Sequence, residues 1–454
     1  MVVVTFRFAE SDHHREKLAG HIPAPLPRGA APLDKLRAGS WNPVGLLSTA
    51  CYSGSKMHKS RQPKQTEPER FTATIEDIAA LGEGMARRDG APVFVPYTIP
   101  GEVVEVEVSS RGRRYLTADV TKIIQPSAHR VDAPCPYYRV CSGCQWQHID
   151  YSHQLELKRR TVVDHLKRIG LFEKPPVAPT VGCADPWHYR NHARFTVREG
   201  QLGFVNKTTH GFVPIERCLI MDEGVNQILA RLQGRCGETS QLSIRYGADT
   251  GSYLVQPTLK APDVDVDSGQ HSYQEELLGR RFQVSSPSFF QVNSRQAARL
   301  IELIWARLNL SGIETVVDAY AGVGTFASVL ASHARRVIAI EESSAAVKDA
   351  RVNLADLSNV ELVLGKTEDV LATLSPTPDA VILDPPRTGC HVDALQALIG
   401  NRPPRVVYVS CDPATLARDL RVLSGAYELL EAQPVDMFPH THHVEIVATL
   451  QRRR

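Results

Sequence analysis

The sequence predicts a protein of several domains, the last of which is an α/β domain built on a doubly wound sheet. Three observations predict this architecture. Short strand patterns with glycine turns fill residues 66–130, strands and turns return in the central part of the chain, and strand-like and helix-like stretches alternate after Ser286. Such alternation is typical of a parallel sheet with helices on both faces. We therefore expect domains at 66–130, 131–285 and 286–454.

Residues 1–65 differ from the rest of the chain. They hold few periodic apolar positions and many Pro, Gly, His, Lys and Arg residues. A stretch of this composition cannot bury a core, so we expect either disorder or a mis-assigned start. Met57 would serve as a natural start.

The overall composition is that of an ordinary globular protein, with 43% hydrophobic and 22% charged residues among 454. No run of about 18 apolar residues occurs, so we expect no membrane span. The net charge of +2 neither requires nor excludes a nucleic-acid partner. Nine cysteines, an odd number, favour metal ligands or catalytic thiols over a disulfide framework. We expect a cytoplasmic monomer.

The first domain is expected to be a small β-barrel of the oligonucleotide-binding kind. Several short strands, among them "EVVEVEVSSR" and "YLTADVTKII", follow one another at the spacing that such barrels show. The connection between these two strands carries Arg111, Arg113 and Arg114. These arginines are either a solvated hairpin tip or a contact to RNA or DNA phosphates.

Three closely spaced cysteines follow the barrel, at Cys135, Cys141 and Cys144. Close thiols in a turn-rich segment suit an iron–sulfur centre, with zinc as the alternative. A fourth ligand is needed, and three later cysteines could supply it: Cys183, Cys218 and Cys236. Cys218 is preferred because it follows a strand-like run. A helix is predicted in the same segment, over residues 151–169.

The carboxyl-terminal domain contains strand patterns such as "TVVDAYAG", "RVIAIEE" and "RVVYVSC", with helical stretches between them. The last two patterns, "YELLEAQPVDMF" and "HHVEIVATLQR", have no helix between them. They are expected to close the sheet as an antiparallel hairpin.

A glycine loop in "VVDAYAGVGTFA" joins the first of these strands to a helix. Gly322 and Gly324 let the backbone approach a ligand, and the helix start favours polar groups. Glu341 ends the next strand, where an acid can bind the two hydroxyls of a ribose or simply cap a helix. These features predict a cofactor that contains adenosine, either a dinucleotide or S-adenosylmethionine.

Two further motifs follow later strands. In "LDPPRTGC", Asp384 precedes a rigid turn at Pro385 and Pro386, which suits an enzyme that binds a planar base, although an Asp can also merely start a turn. In "YVSCDPATLARD", Cys411 stands at a strand end, where open α/β sheets bind their ligands. It is either a nucleophile or a small buried apolar residue.

Six motifs together carry a resemblance to a known family: "CPYYRVCSGCQWQH", "SPSFFQVN", "DAYAGVGTF", "LDPPRTG", "YVSCDPATLARD" and "DMFPHTHHVE". Over roughly residues 70–454 the chain resembles the bacterial RNA uridine-5-methyltransferases, in the form with an amino-terminal TRAM domain and a [4Fe-4S] cluster. The resemblance implies an OB-like TRAM barrel, a central β-rich iron–sulfur domain and a Rossmann-like, class I S-adenosylmethionine-dependent methyltransferase domain. It also implies an RNA substrate, 23S ribosomal RNA in the first place and transfer RNA as the alternative.

The resemblance assigns roles to individual residues. The cluster ligands become Cys135, Cys141, Cys144 and Cys218. The residues that bind S-adenosylmethionine or the target base become Gln291, Tyr320, Glu341 and Asp384. Cys411 becomes the nucleophile and Glu445 the general base. Two positions depart from the family pattern, because Ala321 replaces the usual Cys and Lys366 stands where Asp or Asn is common.

The chemistry of the reaction explains these residue types. Carbon 5 of uracil is a poor nucleophile until a thiolate adds to carbon 6, after which carbon 5 can accept a methyl group and a base can remove its proton. The helix start beside Cys411 is expected to favour its thiolate. Phe289, Phe290 and Phe438 are candidates to assist extrusion of the base from the RNA.

Three other classes of protein share part of the pattern. A nicotinamide oxidoreductase with an iron–sulfur centre would explain the glycine loop, but neither "DPP" nor "SCDPAT". An amino-group methyltransferase usually has an aromatic residue where Arg387 stands. A non-catalytic RNA-binding protein would not need Cys411 and Glu445 beside a cofactor loop.

Overall fold

The computed structural model describes residues 69–454. The prediction for residues 1–65 lies outside these residues. No helix in the described part of the chain is long and apolar enough to cross a membrane.

The first domain is one curled six-stranded sheet. Its strands are β1 (Arg70–Thr74), β2 (Asp77–Ile78), β3 (Gly84–Arg88), β4 (Ala91–Val95), β5 (Val103–Arg111) and β6 (Leu116–Gln125). They lie in the order β1-β5-β6-β4-β3-β2, and only β4 and β6 pair in parallel. Alternation along β5 buries Val104 and Val106 against the inner side of the sheet, as a half-buried strand requires.

The central segment combines an antiparallel sheet with two helices. Its elements are α1 (Tyr151–Arg168), β7 (His192–Arg198), β8 (Gln201–Val205), β9 (Phe212–Pro214), α2 (Glu223–Leu232), β10 (Gln241–Tyr246) and β11 (Tyr253–Gln256). The strand order is β11-β10-β7-β8-β9. The apolar face of α2, with Val225 and Leu229, shares a core with Phe195 of the sheet.

The carboxyl-terminal part begins with a hairpin, β12 (Ser272–Leu277) and β13 (Arg280–Ser285). Its further elements are α3 (Ser294–Leu308), β14 (Thr315–Ala319), α4 (Thr325–Leu330), β15 (Arg336–Glu341), α5 (Ser344–Asn353), β16 (Val360–Leu364), α6 (Thr367–Leu371), β17 (Ala380–Leu383), α7 (Val392–Asn401), β18 (Arg405–Ser410), α8 (Pro413–Leu423), β19 (Tyr427–Val435) and β20 (Glu445–Arg452).

The seven strands from β14 onward form one sheet in the order β16-β15-β14-β17-β18-β20-β19. The first five are parallel, whereas β20 runs antiparallel between β18 and β19. The doubly wound sheet and its closing hairpin are therefore confirmed. Successive side chains face opposite sides, so that Val316 and Val317 belong to different cores. Helices cover both faces, which explains the almost continuous apolar strands.

The central segment is not a separate packing unit. Tyr273 and Phe282 of the β12–β13 hairpin share a core with Leu300 of α3, and Val162 and Leu166 of α1 share one with α8. The hairpin thus packs with the last domain, although it precedes the expected boundary at residue 285. The domain limits stay a prediction.

Several contacts join the barrel to the rest of the molecule, and two of them are hydrogen-bonded contacts at Glu102 and Gly82. Arg130 donates hydrogen bonds of 2.6 and 2.7 Å to Glu102, a buried carboxylate at the edge of the barrel. The Trp146 indole N–H donates to the carbonyl of Gly82 at 2.9 Å. Gly82 has a φ of +88°, and a Cβ there would lie 2.8 Å from the Cβ of His442, so only glycine permits this close approach.

Candidate active site

A cavity of about 1070 Å³ opens at the carboxyl ends of the parallel strands. The strand order reverses between β14 and β17, and ligands of open α/β sheets bind at such a switch point. Every residue that the sequence predicted for the cofactor, the base or catalysis lines this cavity: Gln291, Tyr320, Glu341, Asp384, Cys411 and Glu445.

The loop after β14 forms one wall. Tyr320 has a φ of 89°, a strained conformation for a residue with a side chain, and its N–H donates to the carbonyl of Ile340 at 3.1 Å. Gly324 also has a φ of 88°, and a Cβ there would lie 2.9 Å from Leu354. Below the loop, the Asp318 carboxylate accepts a 2.9 Å bond from the N–H of Ala327 in α4. These contacts fix the loop before any ligand binds.

Glu341 is held at the end of β15 by two backbone groups. Its carboxylate accepts a 2.8 Å bond from the N–H of Gly322 and a 2.7 Å bond from that of Ser343. Each carboxylate oxygen has a second lone pair, so both can still accept from a ligand hydroxyl. The geometry is compatible with the expected ribose contact.

Two carboxyl groups and one guanidinium affect one another in the wall of the cavity: Asp384, Glu445 and Arg387. Glu445, the first residue of β20, is only 4% exposed. Burial raises its pKa well above the usual range, the nearby Asp384 carboxylate raises it further, and Arg387 opposes both effects. Burial also raises the pKa of Asp384 to about 7. The pair therefore favours states in which it holds a proton at neutral pH.

Cys411 lies between the end of β18 and the start of α8. Asp412 caps this helix, because its side chain accepts from the N–H groups of Ala414 and Thr415 at 2.9 and 2.8 Å. Burial and the charge of Glu445 nevertheless raise the pKa of Cys411 to about 11, with Arg387 lowering it in part. Burial is the largest of these effects, so the surroundings of Cys411 favour the neutral thiol, and the expected effect of the helix start on the thiolate stays a prediction.

The segment that carries Gln291 is fixed by buried charges. The Asp349 carboxylate accepts hydrogen bonds from the hydroxyls of Ser285 and Ser288 at 2.7 and 2.6 Å. Arg245 donates to the carbonyl of Ser288 at 2.7 Å. Neither residue was singled out in the sequence, because both contacts join segments far apart in the chain.

The three phenylalanines differ in exposure. Phe289 is 68% exposed at the rim of the cavity, whereas Phe290 is 7% exposed and packs 5.7 Å from the ring of Phe282. Phe438 is half-buried in the cavity wall. Phe289 and Phe438 are thus placed to contact a base, while Phe290 is largely a core residue.

Arg387 and Lys366 also line the cavity and were not predicted as site residues. Arg387 follows directly on the "DPP" turn, and that position is the signal that could have revealed it. Its charge acts on both Cys411 and Glu445.

The four predicted cluster cysteines are all free thiols near one another. Cys144 and Cys218 share a small apolar cluster with Tyr189. Burial and, to a smaller extent, the charges of the other three thiols raise the pKa of Cys144 to about 12. No group of three or more His, Cys, Asp or Glu side chains among residues 69–454 is arranged to hold a metal ion. The iron–sulfur cluster therefore stays a prediction.

The two rejected cysteines lie elsewhere. The thiol of Cys183 donates to the carbonyl of Asp185 at 3.0 Å. Cys236 is fully buried in the core beneath α2. Neither thiol is among the charges that affect the pKa of Cys144.

Comparisons with known proteins agree with this site. The model of the tRNA (uracil-5-)-methyltransferase family matches residues 274–453, and that of the TRAM domain matches residues 64–121. A protein of Gloeobacter violaceus named as an uncharacterised RNA methyltransferase is 36% identical over 441 residues, which cover 84% of this chain and 96% of the relative. One of Halalkalibacterium halodurans, with the same kind of name, is 35% identical over 439 residues, or 83% and 96% of the two chains.

A solved structure is similar over most of the chain. It is the Pyrococcus abyssi tRNA (uracil-54, C5)-methyltransferase in complex with S-adenosyl-L-homocysteine, with 26% identity and a TM-score of 0.65 over 84% of this chain and 99% of that one. A methyltransferase fold preceded by a TRAM domain is thereby confirmed. From its sequence identity to these relatives and from the matched domains, the chain belongs to the tRNA (uracil-5-)-methyltransferase family of RNA methyltransferases.

Proposed function

We propose that this protein transfers a methyl group from S-adenosylmethionine to carbon 5 of a specific uridine in RNA, through a covalent bond between Cys411 and the uracil. One observation carries the proposal. A thiol, a buried acid of raised pKa and a glycine loop meet in one cavity at the switch point of the sheet. Methylation of a pyrimidine carbon through a covalent intermediate needs a nucleophile, a base and a site for the methyl donor together.

Each residue has a defined role in this reaction. The Cys411 thiol loses its proton to water in the open cavity and attacks carbon 6, and the electron pair of the double bond moves onto the ring as an enolate. S-adenosylmethionine supplies the methyl group that carbon 5 then accepts. Glu445 removes the proton from carbon 5, the double bond re-forms and the thiolate leaves. The raised pKa of Glu445 makes its carboxylate a stronger proton acceptor than an ordinary Glu.

The remaining cavity residues bind and orient. Gln291, Tyr320, Glu341 and Asp384 hold S-adenosylmethionine or the target base, with Glu341 accepting from the ribose hydroxyls. Arg387 lowers the pKa of Cys411 and so opposes the effect of burial on the nucleophile. It is a positive charge beside the ring on which the enolate forms.

The RNA substrate has two candidates. We propose 23S ribosomal RNA, because the chain resembles the form of the family that has a TRAM domain and four cluster cysteines. Transfer RNA is the second candidate, because the similar Pyrococcus abyssi enzyme acts on a tRNA uridine. Mapping 5-methyluridine in ribosomal and transfer RNA from cells with and without the gene separates the two. Loss of the modification from neither RNA would contradict both.

The covalent mechanism predicts opposite effects for two substitutions. Cys411→Ala should abolish formation of a protein–RNA bond, while Glu445→Gln should accumulate it, because attack and methyl transfer still occur but the carbon 5 proton stays. The measurement is denaturing electrophoresis with S-adenosylmethionine and two RNAs. Unmodified RNA should give a shifted band with Glu445→Gln, and RNA that contains 5-fluorouridine, whose fluorine cannot leave as a proton does, should give one with every chain that retains Cys411.

The parent chain provides the control, since it should give a shifted band with fluorinated RNA only. A band that persists in Cys411→Ala would assign the nucleophile to another residue and leave Cys411 as a packed core thiol. An active parent without any band would contradict the covalent mechanism.

We also propose that Cys135, Cys141, Cys144 and Cys218 hold a [4Fe-4S] cluster. The support is that all four are free thiols, that the other three affect the pKa of Cys144, and that iron–sulfur clusters are held by Cys thiolates. The group would act as a structural cross-link. Protein purified without oxygen should be brown and contain about four irons per chain.

A matched pair of variants tests the ligand set. Cys218→Ser should lower the iron content, whereas Cys236→Ser should retain it, because Cys236 is fully buried beneath α2 and is not among the thiols that affect the pKa of Cys144. Stoichiometric zinc without iron would overturn the cluster, and iron loss in Cys236→Ser alone would overturn the choice of Cys218.

A further inference from the structure

The inner face of α1 carries polar side chains where a helix normally presents apolar ones. Tyr151, Gln154 and Lys158 are spaced by three and four residues, so they lie on one face. Gln154 and Lys158 have no exposed surface. Fully buried Lys side chains are rare unless they are paired, so this face requires an explanation.

All three side chains contact the loop of residues 436–444, which joins β19 to β20. The Lys158 ammonium donates to one oxygen of Asp436 at 2.5 Å and to the carbonyl of Phe438 at 3.0 Å. The Tyr151 hydroxyl donates to the other Asp436 oxygen at 2.9 Å. Gln154 accepts from the N–H of His440 at 3.0 Å. The helix therefore holds this loop at Asp436, Phe438 and His440.

The loop carries groups that belong to the cavity. Phe438 lines the cavity wall, and Glu445 follows the loop as the first residue of β20. Asp436 also accepts from the N–H of Phe438 at 3.2 Å, so that one ion pair fixes both the N–H and the carbonyl of this residue. The contacts join residues 278 and 280 positions apart in the chain.

Stability alone does not account for the Lys158–Asp436 pair, in which both side chains have no exposed surface. Removing two charges from water is costly, and apolar residues of similar volume often stabilise a core equally well or better. Apolar residues cannot, however, donate to the Phe438 carbonyl. Only the polar pair can form directional hydrogen bonds to the backbone of Phe438 and so fix its orientation.

We propose that Lys158 and Asp436 are positioning residues that hold Phe438 in the wall of the cavity where the target uracil binds. The assignment rests on the proposed function and deepens it, because it names the part of the protein that sets the base pocket. Neither residue contacts the reacting atoms; both act through the backbone of Phe438.

Three variants separate positioning from stability. Lys158→Met leaves Asp436 buried without its partner, so both the urea midpoint and kcat should fall. The double variant Lys158→Met with Asp436→Leu removes both charges and should recover the midpoint, while kcat stays about 10- to 100-fold below the parent, as expected for a displaced substrate-binding group. Tyr151→Phe keeps both charges but loses the bond to Asp436 and the one that the hydroxyl accepts from the N–H of Cys183, so it should lower kcat several-fold and the midpoint less than Lys158→Met does.

Gln233→Leu is the control for destabilisation, because it removes hydrogen bonds to Leu202 and Ile215 in the central sheet, none of which involves the 436–444 loop. It should lower the urea midpoint without changing kcat at saturating RNA. The affinity for S-adenosylmethionine, measured by calorimetry, should be that of the parent in every variant. The single-turnover rate of adduct formation with 5-fluorouridine RNA should fall in parallel with kcat.

Parental kcat in the double variant and in Tyr151→Phe would overturn the assignment and leave the pair as packing. A loss of S-adenosylmethionine affinity equal to the loss of kcat would overturn it as well, since the defect would then be general. Failure of the parent chain to methylate any RNA would overturn the proposed function itself, and the assignment with it.

Discussion

Glu275 lies in β12 with no exposed surface, directly under the segment that carries Gln291. Its carboxylate accepts from the Asn191 amide at 3.1 Å, and the same amide donates to the carbonyl of Gln291 at 3.2 Å. Burial raises the pKa of Glu275 to about 8. The Asn191 side chain thus connects Glu275, a group that can take up a proton, to the loop that carries Gln291.

The raised pKa predicts a pH-dependent stability that Glu275→Gln should remove. Between its ordinary value of 4.5 and about 8, the folded protein holds more protons at Glu275 than the unfolded chain does. This contribution is therefore complete below pH 4.5 and lost as the pH rises through 8. Gln is always neutral, so the variant should exceed the parent in stability at pH 9 by on the order of 2 kcal/mol.

Urea unfolding at pH 5.5 and pH 9 measures this difference. Gln274→Glu is the control, because Gln274 is an exposed residue of the same strand and a carboxyl group there stays in water. A pH dependence in Glu275→Gln that equals that of the parent would place the titrating group elsewhere.

At the scale of elements, the connection between β5 and β6 carries three exposed arginines. Arg111 forms an ion pair with Glu69, whereas Arg113 and Arg114 stand on the exposed turn beyond it. The charge of Arg111 is therefore already balanced in part, and the three arginines should not contribute equally to RNA binding.

We expect Arg113→Ala with Arg114→Ala to weaken RNA binding and to reduce the slope of log affinity against log salt by about 1 to 2. Arg111→Ala should reduce it less. Filter binding at several salt concentrations measures the slopes. Unchanged affinity of the double variant at both low and moderate salt would show the turn to be a solvated hairpin tip.

Across the whole molecule, the sequence predicts best what is encoded locally. Alternation of strand and helix predicted the sheet that carries Asp384 and Cys411, because each element has its own period and its own turn residues. The raised pKa of Cys411 was missed, since it arises from burial and from the charge of Glu445, which reaches the site from another strand. The Lys158–Asp436 pair was missed for the same reason, as no local pattern joins residues 278 positions apart.

Packing between domains was also beyond local patterns. The pattern of short strands and turns placed the β12–β13 hairpin with the central strands, whereas Tyr273 and Phe282 bury their rings against α3. Alternation predicts which face of a strand is buried but not which partner covers it. The roles of individual cavity residues came from the family resemblance and stay proposals until the variants are measured.

The contacts between the barrel and the catalytic domain have a consequence for the choice of target. Trp146 and Gly82, with Arg130 and Glu102, keep the barrel at a set distance from the cavity. For an RNA bound to the barrel, we therefore expect the length of RNA between that contact and the target base to be fixed. This length, more than the bases around the target, should decide which uridine is modified.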